Sequence, residues 1–161
     1  MHEGISKAED DIYGNKRKYE NFRAHLDSKA LPLGTTTHQG KQKYFCRNKA
    51  NLRHFQALFT RFDSKDFSYI HRVRMLDIMM LIVDSTEKDL ADCARDDIDL
   101  IMARMHSVYP SPESKTDFVK RIKTIWKTLF PENDEKGRPD ERIMPYAGDI
   151  FPAKLTKAKR R

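Results

Sequence analysis

Cysteine is scarce in this chain of 161 residues: there are only two, Cys46 and Cys93, and they do not form a C-x-x-C pair. The sequence therefore has neither the disulfide framework of a small secreted protein nor the paired cysteines of a zinc ribbon. Cys46 and His54 lie about two helical turns apart, but no second pair stands at ligand spacing. We therefore expect no bound metal and no cofactor.

Long hydrophobic runs are also absent. The longest, residues 78–83, is far shorter than the roughly 20 residues that a membrane-spanning helix needs. No secretory signal peptide is recognisable, so we expect a cytoplasmic protein with no membrane partner. The sequence contains no Gly-rich phosphate loop, no nucleophile elbow and no H-E-x-x-H motif. We find no catalytic constellation and expect no enzymatic activity from this chain.

Glycine is sparse, with six residues, and strand-like alternation of apolar residues is missing. These features favour an all-α fold. A loop over 28–40 separates a first, outlying helix from a compact four-helix unit. The apolar residues recur at the 3.6-residue period in five segments: 15–27, 43–62, 69–84, one that starts near Arg95, and one that ends near Phe130.

The chain divides into an N-terminal arm (1–40) with one helix and a loop, a helical domain (41–146) and a basic linker (147–161). Ser68 is expected to cap the third helix, and the last helix starts at Ser111 or at Ser114.

Apolar spacing also predicts which side chains face inward. For the third helix the inward positions are Ile70, Val73, Leu76, Met80 and Val83. We predict that one core cluster contains Phe55, Phe59, Leu76, Met80, Ile101, Ile122, Ile125 and Leu129.

Charge is distributed unevenly along the chain, whose net charge is +7 and whose pI is about 9.4. Lys and Arg dominate residues 41–74 and 115–130, whereas Asp and Glu dominate residues 84–99. We therefore expect one positive and one negative face on the bundle, as a protein that neutralises nucleic-acid phosphates requires. The alternative is that the basic residues only extend around the core and keep the protein soluble.

The last predicted helix carries two opposite stripes. Its apolar stripe includes Phe118, Ile122, Ile125 and Leu129. Lys120, Lys123 and Lys127 recur at the same period, about 180° away around the helix axis, with no acidic residue among them.

The order of these four helices and their joints resembles the core-binding domain of tyrosine recombinases (phage-type integrases), particularly the archaeal branch. The similarity covers residues 48–130, about half of the chain. It is carried by a turn that ends in Ser68, by "YIHRVRMLDIMMLIVD", by the helix start "ARDDI" and by "SPESKTDFVKRIKTIWKTLF". The sequence departs from the family at Met75, where a Tyr is common, and at Trp126, which lies earlier than the usual aromatic residue.

The resemblance implies a SAM-like four-helix core-binding bundle, preceded by the N-terminal helical arm, that closes a clamp around double-stranded DNA. The third and last helices would lie across the major groove. His71 could contact phosphate or base, or could be an ordinary exposed helix residue. The DNA-contacting residues that follow from this reading are Lys49, Arg53, Ser68, His71, Arg72, Arg74, Ser114, Lys115, Thr116, Lys120, Lys123 and Lys127.

The family's catalytic half, with its Arg, Lys, His-x-x-Arg motif and nucleophilic Tyr, has no counterpart in this sequence. The only match to His-x-x-Arg, His71 to Arg74, lies inside the core-binding similarity, so we interpret it as a DNA contact. The resemblance implies a parent recombinase that assembles as a tetramer on DNA, with the isolated domain a monomer.

Two other functions fit the same composition. A helical protein-interaction module could use the basic face to bind an acidic partner, and would then expose an apolar patch. An RNA-binding bundle would need exposed aromatic residues for stacking, for which Tyr13, Tyr44 and Tyr69 are the possible residues.

We predict that the pure 161-residue chain does not relax supercoiled plasmid DNA, because it supplies no tyrosine within an Arg/His catalytic set. Agarose gel electrophoresis of plasmid incubated with the protein tests this. Relaxed topoisomers that persist through purification would show that the chain is catalytic.

Overall fold

The computed structural model describes residues 14–27, 34–36 and 43–133. Within these ranges the chain is predominantly helical, as the sequence predicted. The elements in order are α1 (Asn15–Asp27), β1 (Gly34–Thr36), β2 (Lys43–Phe45), α2 (Leu52–Ser64), α3 (Tyr69–Asp84), α4 (Arg95–Val108) and α5 (Pro112–Leu129). Short 3-10 turns occur at Lys49–Asn51, Leu90–Asp92 and Pro131–Asn133. No helix in these ranges is both long enough and apolar enough to cross a membrane.

The start of α2 was predicted wrongly: a helix was expected from residue 43, but Lys43–Phe45 forms strand β2 and α2 begins at Leu52. Strands β1 and β2 form a short antiparallel pair in which Gly34 lies opposite Phe45. The backbone of this region is extended because its amides bond to the end of α3: Phe45 N donates to Asp84 Oδ1 at 2.8 Å, and Arg47 N donates to the carbonyl of Val83. Asn48 then caps the 3-10 turn that leads into α2.

Local capping signals place the other helix starts where the sequence predicted. The Ser68 hydroxyl accepts a hydrogen bond from His71 N at 3.3 Å and starts α3. Ser111 caps α5, and Pro112 occupies its first turn, a position where the missing N–H costs nothing. Asp97 accepts the amide hydrogen of Ala94 and starts α4.

Helix α3 is the centre of the bundle. Every residue in its second half, from Ile78 to Asp84, is buried. Helices α1, α4 and α5 and both strands pack against α3, and α2 packs against α5. A helix that is apolar all round is stable in water only when neighbours surround it, and this requirement accounts for the arrangement.

Helix α1 belongs to the same core and is not an outlying element. Tyr19 and Leu26 are buried. The Tyr19 ring meets Phe59 edge-on with a centroid separation of 5.8 Å, and Phe22 lies 5.6 Å from Phe55. At least the helical part of the predicted arm therefore folds onto the bundle. Residues 1–13, most of the predicted 28–40 loop, residues 134–146 and the predicted basic linker 147–161 lie outside the described residues.

The predicted core cluster is confirmed at seven of its eight positions, which are buried, whereas Leu129 is half-buried and packs against the cluster. Ile70 was predicted to face inward, but it is 48% exposed. It shares an exposed stripe of α3 with Arg74 and Asp77, because these residues are spaced at i, i+4 and i+7.

Replacing Ile125 with Ala is expected to lower the free energy of unfolding by about 2–5 kcal/mol, since it leaves a cavity at a fully buried site. Urea denaturation followed by circular dichroism measures the change. Leu100→Ala is the control, because Leu100 is 66% exposed on α4 and should shift stability by less than about 0.5 kcal/mol. Equal effects of the two substitutions would mean that the core is assigned wrongly.

Candidate nucleic-acid interface

Helix α5 separates an apolar face from a basic face. Phe118, Val119, Ile122, Ile125 and Trp126 are buried in the bundle. On the opposite side, Lys120 and Lys127 are exposed and Lys123 is partly buried. Burial lowers the pKa of Lys123.

We call Lys120, Lys123 and Lys127 the lysine face. No carboxylate among the described residues lies within ion-pair distance of these three ammonium groups; the only acidic residue of α5 that forms an ion pair, Asp117, bonds to arginines. Within the described structure, the lysine face therefore presents positive charge that no carboxylate neutralises.

Threonine side chains flank the lysine face but are used within the helix. The hydroxyls of Thr116, Thr124 and Thr128 each donate to the carbonyl oxygen four residues earlier, at 2.8–3.1 Å. Thr116 was predicted to contact DNA. Its hydroxyl hydrogen is taken by Pro112 O, so it could only accept a hydrogen bond, which a phosphate cannot donate.

The start of α5 was predicted to bind phosphate through Ser114, Lys115 and Thr116. The amide of Ser114 donates to the Ser111 hydroxyl at 3.1 Å, and the amide of Lys115 donates to the Ser111 carbonyl. The Ser111 hydroxyl in turn donates to the Ser114 hydroxyl at 2.9 Å. The two amides and the Ser111 hydroxyl are thus used within the helix start, and the half-buried Lys115 side chain is the charged donor at this end.

Arg72 is the clearest correction among the predicted contacts. It is only 7% exposed. Its guanidinium donates to Asp63 Oδ1 at 2.8 Å and to Phe67 O at 2.7 Å, and it lies 5.1 Å from the ring centroids of Tyr19 and Tyr69. Because a buried charge must be paired, Arg72 holds the turn between α2 and α3 together. Ser68, in the same turn, serves as the cap of α3.

The carboxylate that binds Arg72 is shared. Asp63 also accepts a hydrogen bond from Arg23 of α1 at 3.2 Å. Partial burial acts to raise the pKa of Asp63, but the bonds from the two arginines outweigh it and lower that pKa. Asp63 of α2 thereby links α1 and α3 through its ion pairs with Arg23 and Arg72.

Arg53 and Lys49, near the start of α2, have different environments. Arg53 donates to Asp89 Oδ2 at 2.6 Å and to Ala50 O at 2.7 Å. Asp89 also bonds His54 Nε2 at 2.9 Å. Lys49 is exposed in the 3-10 turn. Arg53 is therefore engaged in joining α2 to the acidic 84–99 segment, whereas Lys49 remains available to a ligand.

His71 and Arg74 lie on one side of α3 and meet two residues of α5. Arg74 donates to Asp117 Oδ2 at 2.6 Å. Arg121 Nε lies 3.0 Å from both oxygens of Asp117, and its NH1 lies 3.0 Å from His71 Nδ1. We call these four residues the α3–α5 network.

Sequence reasoning did not predict that Asp117 or Arg121 contacts α3. Their i, i+4 spacing on a predicted helix was the available signal for an ion pair. Their link to α3 carried no sequence signal, since it depends on how the two helices cross.

A second arginine pair neutralises Asp84 at the end of α3. Its carboxylate is almost fully buried and forms ion pairs with Arg47, at 2.9 Å, and with Arg104. Several arginines of the basic segments are thus used inside the fold, and the exposed positive charge of α5 is carried by lysine.

In the described part of the chain, no group of three or more His, Cys, Asp or Glu residues could hold a metal ion.

Comparison with protein-family models, with curated proteins and with solved structures gave no match to this chain.

The stability of the fold is expected to fall as the pH drops from about 4 toward 2, partly through Asp89. Burial opposes ionisation of this carboxyl, but the bonds from His54, Ala91 N and Arg53 lower its pKa from 3.8 to about 2. A carboxyl with a depressed folded pKa stabilises the fold above its unfolded pKa, and the contribution is lost as the pH falls through the folded pKa.

Asp89→Asn should therefore lower the free energy of unfolding at pH 7 by about 1.5–3 kcal/mol. The difference from the unmodified protein should shrink between about pH 4 and pH 2. Urea titrations across this pH range measure both effects. Asp92→Asn, a neighbouring exposed carboxylate, is the control, and a loss of the same size there would count against a specific role for Asp89.

Proposed function

We propose that this bundle binds double-stranded DNA through the lysine face of α5, as the SAM-like core-binding domain of a tyrosine recombinase. The observation that carries the proposal is the lysine face itself. It is a solvent-facing row of cations, with no carboxylate partner among the described residues, on a helix whose other side is anchored in the core. Each phosphate that such a row neutralises releases bound counterions.

The role of this bundle within a recombinase rests on the sequence resemblance. In support of it, α3, α4 and α5 begin at the joints that the resemblance uses: Ser68, "ARDDI" and "SPES". In this role the chain is the non-catalytic half of a clamp around DNA. The catalytic half would come from the parent protein, which would act as a tetramer on DNA in the cytoplasm, whereas the isolated bundle would be a monomer.

The distribution of exposed apolar side chains favours DNA over an acidic protein partner. Among the described residues, the large apolar side chains classed as exposed are Ile70 and Leu100. They lie on different helices, and single exposed apolar residues are ordinary on monomers. Tyr44 is buried, which removes one of the three aromatic residues considered for RNA stacking.

Reversing charge on the lysine face is the direct test. Lys120→Glu/Lys127→Glu changes the two exposed lysines and spares the partly buried Lys123. We expect duplex binding to weaken strongly and the slope of log K against log[salt] to fall by about 0.9 for each lost phosphate contact. Fluorescence anisotropy on a duplex of about three helical turns (~30 base pairs), titrated at several salt concentrations, measures both quantities.

Arg17→Glu/Lys18→Glu is the matched control. These residues are exposed on α1, and the substitution changes the net charge by the same amount on a different helix. The control should weaken binding much less. Equal losses would mean that only net charge matters, and no loss from either variant would favour the acidic protein partner. Stronger binding to single-stranded RNA than to duplex DNA would favour the RNA-binding alternative.

A further inference from the structure

The α3–α5 network brings one negative charge into a positive region. Asp117 lies three residues before Lys120 on α5, a spacing that makes them neighbours on the helix surface. A carboxylate here should repel DNA if it faced the phosphates alone. Its two oxygens are instead occupied by Arg121 and by Arg74.

Arg121 and His71 keep the Asp117 carboxylate in place. Arg121 has only 17% of its side chain exposed and bridges both carboxylate oxygens. An arginine has no acceptor atom, so it must donate to Nδ1 of His71, which is therefore unprotonated. Burial and the charge of Arg121 lower the pKa of His71, in agreement with a neutral ring. The His71 ring also packs against Phe67 in a T-shaped arrangement, with 4.5 Å between the ring centroids.

Arg74 is held differently. Its side chain is 52% exposed, and one terminal nitrogen contacts Asp117 at 2.6 Å. A guanidinium has five N–H donors, and among the described residues Arg74 forms no other side-chain hydrogen bond. Arg74 therefore presents several donors to solvent from a fixed position, beside the start of the lysine face.

We infer that Asp117 is a positioning residue, which holds Arg74 of α3 next to the lysine face so that its free N–H groups bind a DNA backbone phosphate. Planar arginine donors suit phosphate oxygens, and a carboxylate that fixes the guanidinium reduces the entropy lost on binding. The inference rests on the proposed function and adds α3 to the binding surface. In this arrangement His71 supports Arg121 and is not itself the DNA contact.

The direction of the change in DNA affinity on replacing Asp117 tests this inference. Asp117→Asn makes the chain more positive by one charge, so simple electrostatics would tighten DNA binding. If Asp117 positions Arg74, binding should instead weaken by about 10-fold or more, as for the loss of a hydrogen bond to a charged group. The salt slope should fall by about 0.9, although no cation has been removed. Arg74→Ala should show the same two changes, and Asp117→Asn should add little in the Arg74→Ala background.

Asp92→Asn is the matched control for the gain of charge, and it should leave binding unchanged or slightly tighter. Thermal melting establishes that each variant is folded at the assay temperature. If Asp117→Asn is unfolded, Asp117→Glu replaces it, because it keeps the charge and moves the carboxylate by one methylene. Weaker binding with a reduced salt slope supports the inference, and an unchanged slope overturns it.

The outcomes separate this inference from the proposed function. Unchanged binding by Lys120→Glu/Lys127→Glu removes the proposed function. A strong loss in that variant together with tighter binding by Asp117→Asn, or with an unchanged salt slope in Arg74→Ala, overturns only the role of Asp117.

Discussion

Burial of the second half of α3 is the constraint on which the rest of the structure depends. The segment from Ile78 to Val83 is apolar on every side, so it is stable only if other elements cover its whole circumference. Helices α1, α4 and α5 and the two short strands pack against α3. The position of α5 follows: with its apolar stripe committed to the core, its lysines must lie on the outside.

The same packing decides how charge is used. Where elements of the fold meet, a carboxylate forms ion pairs with two arginines. Asp63 binds Arg23 and Arg72, and Asp84 binds Arg47 and Arg104. A planar guanidinium with several donors can satisfy a partly buried carboxylate better than an ammonium group can. The lysines of α5 have no such partner in the described structure. Net charge alone would not distinguish these two groups, because it counts them equally.

The sequence was most informative where the controlling signal is local. The starts of α3, α4 and α5 depend on Ser68, Asp97 and Ser111, each within three residues of the amide that it caps, and the 3.6-residue period identified the buried face of α5. The start of α2 was missed because the strand before it is held by Asp84, far away along the chain. Arg72 was misassigned for the same kind of reason, since its burial depends on α1 and on the turn after α2. Periodicity describes one helix at a time, and these side chains belong to contacts between several.

The packing of α1 also sets where the folding unit begins. A natural place to cut the chain, judged from the loop predicted over 28–40, would be near residue 41, just before β2. Such a fragment would lose Tyr19, Phe22 and Leu26, and it would leave the aromatic faces of Phe55 and Phe59 in water. Exposed aromatic surface of this kind promotes self-association. The shortest fragment of this protein that folds without exposing its core therefore includes α1. A transfer of this bundle into another protein must include that helix.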